Sequence, residues 1–107
     1  MKAIEYVKKN GIEKSKIHLD RMKQERCINS FFNELKQIID AFELVEKVGG
    51  LERVKSAIDG KHIGYTHFYL HSNGRYVFLD HYVDFIPDHA HHIGLFNNDI
   101  NLVEQCQ

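Results

Sequence analysis

The sequence predicts an α+β fold in which an N-terminal helical bundle packs on a small antiparallel β-hairpin or sheet. Apolar residues recur at three and four spacing as far as Ile58, and beyond Tyr65 the period shifts to runs of strand formers on either side of Ser72-Asn73-Gly74. Length supplies the third observation. A chain of 107 residues suits one domain, since typical domains hold about 100 to 150 residues. Residues 1–107 are therefore expected to form one domain, with a helical part over about 1–59 and a β-rich, histidine-rich part over about 62–107.

The first helix holds Ile4 and Val7 and stops at Gly11, a residue that takes up left-handed backbone at little steric cost. A second runs from Ile12 to about Arg26 on a narrow apolar stripe of Ile17, Leu19 and Met22. The third is the most strongly patterned: Asn29 or Ser30 can cap it, and Phe31, Leu35, Ile38, Phe42 and Val45 alternate at four and three spacing. Phe32, Ile39 and Leu44 widen its apolar surface, so it is expected at the centre, covered on more than one side. Gly49-Gly50 ends it, and Leu51 to Ile58 forms a short fourth helix before Asp59-Gly60. Two stretches echo each other. Ala3-Ile4-Glu5-Tyr6-Val7 through Gly11-Ile12-Glu13 to Lys16 aligns with Ala41-Phe42-Glu43-Leu44-Val45 through Gly50-Leu51-Glu52 to Lys55, with Gly49 inserted. Duplication and simple convergence of amphipathic helices joined by glycine both account for that echo.

Tyr65 to His71 and Arg75 to Val83 then read as two strands joined by a two-residue turn at Asn73-Gly74. That turn would set Phe68 opposite Leu79 and Leu70 opposite Val77 on an apolar face for the helices to cover. The other face would collect Tyr65, His67, Tyr69, His71, Tyr76, Phe78 and Tyr82, with His67 opposite Asp80. After Pro87 no clean period is visible, and a loop, a short edge strand and a last helical turn or two are expected.

Hydrophobic content of 43% and charged content of 27% exclude a disordered chain, and a net charge of -1 argues against a bulk nucleic-acid binder or a DNA mimic. The charge is nonetheless divided. Residues 1–61 carry thirteen basic and ten acidic side chains, and residues 62–107 carry one basic and five acidic, so the halves are +3 and -4. Seven of the eight histidines fall in the second half. No stretch approaches the roughly 18 to 20 apolar residues needed to span a bilayer, and the start lacks a signal-peptide core, which leads to the expectation of a cytosolic protein with no membrane association. Cys27 and Cys106 show no CxxC spacing, so neither a disulfide scaffold nor a four-thiolate zinc site is expected.

Three chemistries compete for the second half. An aromatic and histidine face built of Tyr65, His67, Tyr69, His71, Tyr76, Phe78 and Tyr82 suits a protein contact, because aromatic hot spots need no basic surround. Stacking of single-stranded bases on the same tyrosines is disfavoured, since Arg75 is the one basic residue in that half. Metal binding is the alternative: Asp88, His89 and His91 offer standard ligands, and a site would need His67 or His81 from the hairpin. Catalysis finds little purchase. No serine sits in a nucleophile elbow, no glycine loop cradles phosphate, and neither cysteine has a histidine in context. Val83-Asp84-Phe85-Ile86-Pro87 faintly resembles the ββα-metal motif of HNH endonucleases, but Phe85 stands where that motif has its general-base histidine. No cofactor is implied, and an enzyme is the less favoured class. A small nucleic-acid-binding regulator using Lys-rich residues 1–26 is a third option.

Leu35-Lys36-Gln37-Ile38-Ile39-Asp40-Ala41-Phe42-Glu43-Leu44-Val45, Gly49 to Lys55, Gly64-Tyr65-Thr66-His67-Phe68 and Leu102 to Gln107 resemble strings in small accessory proteins encoded in the early regions of lambdoid phages and enterobacterial prophages. The resemblance implies an early, non-enzymatic protein in the host bacterial cytoplasm that binds a bacterial host protein or defence system and inhibits or redirects it. It carries no functional residues over. Homodimer formation stays open at this point.

Overall fold

The computed structural model describes residues 2–107, apart from the side chain of His62. Helices α1 (Lys2–Asn10), α2 (Ile12–Gln24), α3 (Ser30–Lys47) and α4 (Leu51–Ile58) come first, then a single 3-10 turn at Lys61–Ile63. Strands β1 (His67–Leu70), β2 (Tyr76–Leu79) and β3 (His91–His92) follow, and α5 (Ile93–Gln105) closes the order. The α+β architecture is as the sequence predicts, with the sheet antiparallel and ordered β2-β1-β3.

Local chemistry sets the helix ends. The Asn29 side chain accepts from the Phe32 amide at 2.9 Å and caps α3. Gly11 (φ 83, ψ 164) and Gly50 (φ 92, ψ 161) stand immediately before α2 and α4 in nearly the same backbone conformation. The echo in sequence is thus an echo in geometry: Ala3 and Ala41, Val7 and Val45, Ser15 and Val54 are buried in matched pairs. Gly49, the insertion, has its own reason. At φ 113 it lies beside the Tyr76 hydroxyl, and a Cβ there would sit 2.5 Å from that oxygen.

Two cores lie along α3. Ala3, Val7, Leu19, Met22, Phe32 and Leu35 fill the first, and Val45, Val54, Ile58, Phe68, Phe96 and Ile100 fill the second. An 18-residue α3 spans about 27 Å at 1.5 Å per residue, which accounts for an elongated body of 47 × 25 × 24 Å. The C-terminal region differs from expectation. A thirteen-residue helix, α5, replaces the loop and final turn, and it buries Ile93, Phe96, Ile100 and Val103. Its first turn is capped by the His92 ring, whose Nδ1 accepts from the Leu95 amide at 3.2 Å.

The hairpin register also differs, by one residue. The His71 amide donates to Arg75 O at 2.8 Å and the Gly74 amide to His71 O at 2.9 Å, enclosing a three-residue loop with Gly74 at φ 85. Three-residue loops with a glycine in left-handed backbone compete with two-residue turns in hairpins, and Ser72 here joins the loop rather than the strand. Phe68 therefore pairs with Phe78 and Leu70 with Tyr76, while His67 pairs with Leu79 and Tyr69 with Val77. A one-residue slip exchanges the two faces of a strand. Tyr76 and Phe78 consequently turn inward onto the second core, and Val77 and Leu79 turn outward.

Candidate functional site

The predicted aromatic face divides into three groups. His67, Tyr69 and His71 remain on the outer side of the sheet, the first two half-buried and the last exposed. Tyr65 lies at the sheet margin, 40% exposed, with its ring 5.6 Å from that of Phe78. Tyr76 and Phe78 leave the face: the Tyr76 hydroxyl donates to Val48 O at 2.5 Å, and the Arg53 guanidinium lies over its ring. Burial holds the Tyr76 phenol above its ordinary value, with Arg53 acting against that shift.

Tyr82 belongs to a separate feature, the turn that follows β2. Val83 and Asp84 amides both donate to Asp80 O, at 3.0 and 2.8 Å. The Asp80 amide donates to Asp84 Oδ2 at 2.9 Å, and Tyr82 N–H donates to Asp80 Oδ1 at 3.1 Å. The His81 amide donates to Thr66 Oγ1 at 3.0 Å, anchoring the turn to the sheet. On this braced backbone Tyr82, Val83 and Phe85 are 83%, 80% and 88% exposed. Asp80 and Asp84 each give one carboxylate oxygen to the turn, and the apolar side chains project from it. Val83 and Phe85 were missed in the sequence reading of the contact surface. The signal available was an apolar run, Tyr82 to Ile86, interrupted by Asp84 and closed by Pro87, too irregular to bury one face of a strand.

The candidate metal ligands separate as well. Asp88, His89 and His91 line one cleft of about 380 Å³ beside the open edge of β1, together with Lys47 and Tyr69. The His89 ring meets Tyr69 edge-on at 4.7 Å. His91 pairs with Phe68 on the inner side, whereas His67 pairs with His92 on the outer side, their rings 5.2 Å apart. His81 stacks on Tyr82 at 3.9 Å. The expected union of His67 or His81 with the 88–91 segment is therefore not formed, because consecutive strand residues point to opposite faces. Among the described residues no three His, Cys, Asp or Glu side chains converge as metal ligands.

Charge in the cleft is arranged around His91. Burial lowers its imidazole from the ordinary value, Lys47 and His89 act in the same sense, and Asp99 opposes them. Burial raises the Asp99 carboxyl, with His91 acting against it. On the other side of the sheet burial lowers His67, and the neighbouring His92 and His81 add to the effect. Both histidines are thereby kept neutral at neutral pH.

No protein-family model, no curated protein and no solved structure matches the chain. No helix among the described residues is long and apolar enough to cross a membrane.

Proposed function

We propose that the chain is a non-enzymatic accessory protein of the phage early-region kind, acting in the host bacterial cytoplasm by binding a bacterial protein and inhibiting or redirecting it. The observation that carries this reading is the braced turn at Asp80–Asp84 with Tyr82, Val83 and Phe85 at its tip. Large apolar side chains in a row are costly to leave in water, and contiguous apolar patches on soluble proteins are most often contact sites. A backbone already held by hydrogen bonds loses little further freedom on docking, so more of the burial energy of the tip appears as affinity. Aromatic anchors of this kind dominate measured interfaces. Tyr65 and the outer-face residues His67, Tyr69 and His71 provide a polar and aromatic surround on the same sheet.

Affinity capture from bacterial lysate with wild type and with Tyr82→Ala/Phe85→Ala tests the reading. Both side chains are solvent-exposed, so the variant should melt with wild type, and capture of a specific bacterial protein should fall at least about tenfold if the tip is the hot spot. Equal capture by both proteins would remove the tip from the interface.

A further inference from the structure

The tip has an electrostatic counterpart elsewhere on the molecule. On α2, Lys14, Ile17, His18 and Arg21 share one face by their three and four spacing, and with Tyr6 of α1 they line a cleft of about 240 Å³. None of the described residues lining it is acidic. Its apolar part is aromatic: the Tyr6 and His18 rings stack at 5.0 Å, and Phe31 meets both edge-on, at 5.8 and 6.0 Å. Ile17 stands 61% exposed at its margin. The loop after β2 has the opposite character, with Asp80, Asp84 and Asp88 among Tyr82, Val83 and Phe85 and no lysine or arginine. The cleft rides on the first core and the loop on the second.

The geometry points to a second copy of this chain as the occupant of the α2 cleft, with the Asp80–Asp88 loop of one copy docked between Lys14, Arg21 and Tyr6 of the next. This inference rests on the reading of that loop as a protein-contact surface and names one partner for it. Phe85 and Tyr82 would cover Ile17 and the aromatic rings, and the aspartates would meet Lys14 and Arg21. Loop and cleft are different patches, so the contact is heterologous and propagates head to tail, into a ring where the rotation closes and a filament where it does not. Charge steers the encounter, and salt weakens it.

Sedimentation velocity of the full chain is the test, with two exposed-site variants: Phe85→Ser, which spoils the loop, and Lys14→Glu/Ile17→Asp, which spoils the cleft. Wild type should grow in mass with concentration, and added salt should reverse that growth. Each variant alone should weaken association at least about tenfold, the ordinary effect of losing a central anchor. Mixed together they should form a one-to-one dimer and nothing larger, because the mixture retains one intact loop and one intact cleft. A wild type that is monomeric throughout, variants that associate as wild type does, or a mixture without the dimer would each overturn the inference. So would a labelled oligothymidine that binds wild type through Lys14 and Ile17 while the chain stays monomeric, which would make the cleft a single-strand nucleic-acid surface. Failure here is separable from failure of the host-binding reading: Lys14→Glu/Ile17→Asp keeps its loop and frees it from the next copy, so host capture by that variant reads the host-binding surface alone.

Discussion

The inward turn of Tyr76 can be tested by a double-mutant cycle with Gly49. Tyr76→Phe removes one hydroxyl and strands the Val48 carbonyl, which it reaches at 2.5 Å. Loss of a partly buried hydrogen bond of this kind costs about 1 kcal/mol. For 107 residues the unfolding entropy near the midpoint is about 0.22 kcal/mol/K, so that loss lowers Tm by about 4 °C. Gly49→Ala carries two costs. A side chain at φ 113 is strained by about 1 to 2 kcal/mol, and the new methyl would lie 2.5 Å from the Tyr76 oxygen, displacing it and losing about 1 kcal/mol more. The single variant should thus melt about 9 to 13 °C below wild type. In the Tyr76→Phe background the oxygen is gone, and Gly49→Ala should cost the backbone strain and a small shift of the flexible Arg53 side chain, whose Cδ would lie 3.3 Å from the new methyl in both backgrounds. A coupling of about 1 kcal/mol is the expected result, read from thermal and urea unfolding of the four proteins by circular dichroism. Additivity to within about 0.3 kcal/mol would refute the contact, and with it the inward placement of Tyr76.

Two further outcomes follow from the same geometry. His67 and His91 are both held below the ordinary 6.5, so as pH falls through that value the unfolded chain takes up protons that the folded chain refuses; stability full above it is lost on acidification. Asp99, raised from 3.8, acts in the opposite sense, its contribution full below that value and fading as pH rises. Urea midpoints measured between about pH 7.5 and 5.5 should therefore decline, and His67→Gln with His91→Gln should flatten the decline; an unchanged slope in the double variant would contradict the assignment. Gly11→Ala and Gly50→Ala meet open space but sit at positive φ with ψ 164 and 161, a region essentially closed to side chains, so each should cost about 1 to 3 kcal/mol by denaturant unfolding, and the near-identical backbone at the two joints requires the two losses to agree.

The helical half was legible because its signals are local. The Asn29 cap, the glycines at Gly11 and Gly50, and the spacing from Phe31 to Val45 place α1, α3 and α4 close to where they fall; α2 ends at Gln24, about two residues short of the expected Arg26. Hairpin register was not local in this way. Both a two-residue and a three-residue loop are compatible with Ser72-Asn73-Gly74, and what separates them is the packing of Phe68, Phe78 and Tyr76 against α4, α5 and Val48. The helix α5 was legible in part. Ile93, Phe96, Ile100, Val103 and Cys106 hold helical spacing, but Gly94, Asn97, Asn98, Asp99 and Asn101 are poor helix formers and hid it. Tertiary burial of Phe96 against Phe68, ring centroids 5.0 Å apart, outweighs that propensity. Among site residues Tyr82 was found and Val83 and Phe85 were not, since exposure on a braced turn depends on hydrogen bonds that sequence periodicity does not encode.

Helix α5 serves both cores. Ile93, Phe96, Ile100 and Val103 complete the second, Cys106 enters the first, and Leu102 packs against both. During synthesis the ribosome releases α1 to α4 before α5, and at that point α1 and α2 can already cover the first half of α3 while its second half still carries bare apolar surface. The second core cannot close until α5 has left the exit tunnel, whereas the first takes all but Cys106 and Leu102 from α1, α2 and α3. Docking of α5 along α3 then seals the second core and covers the edge of the first, so one helix links the completion of the two.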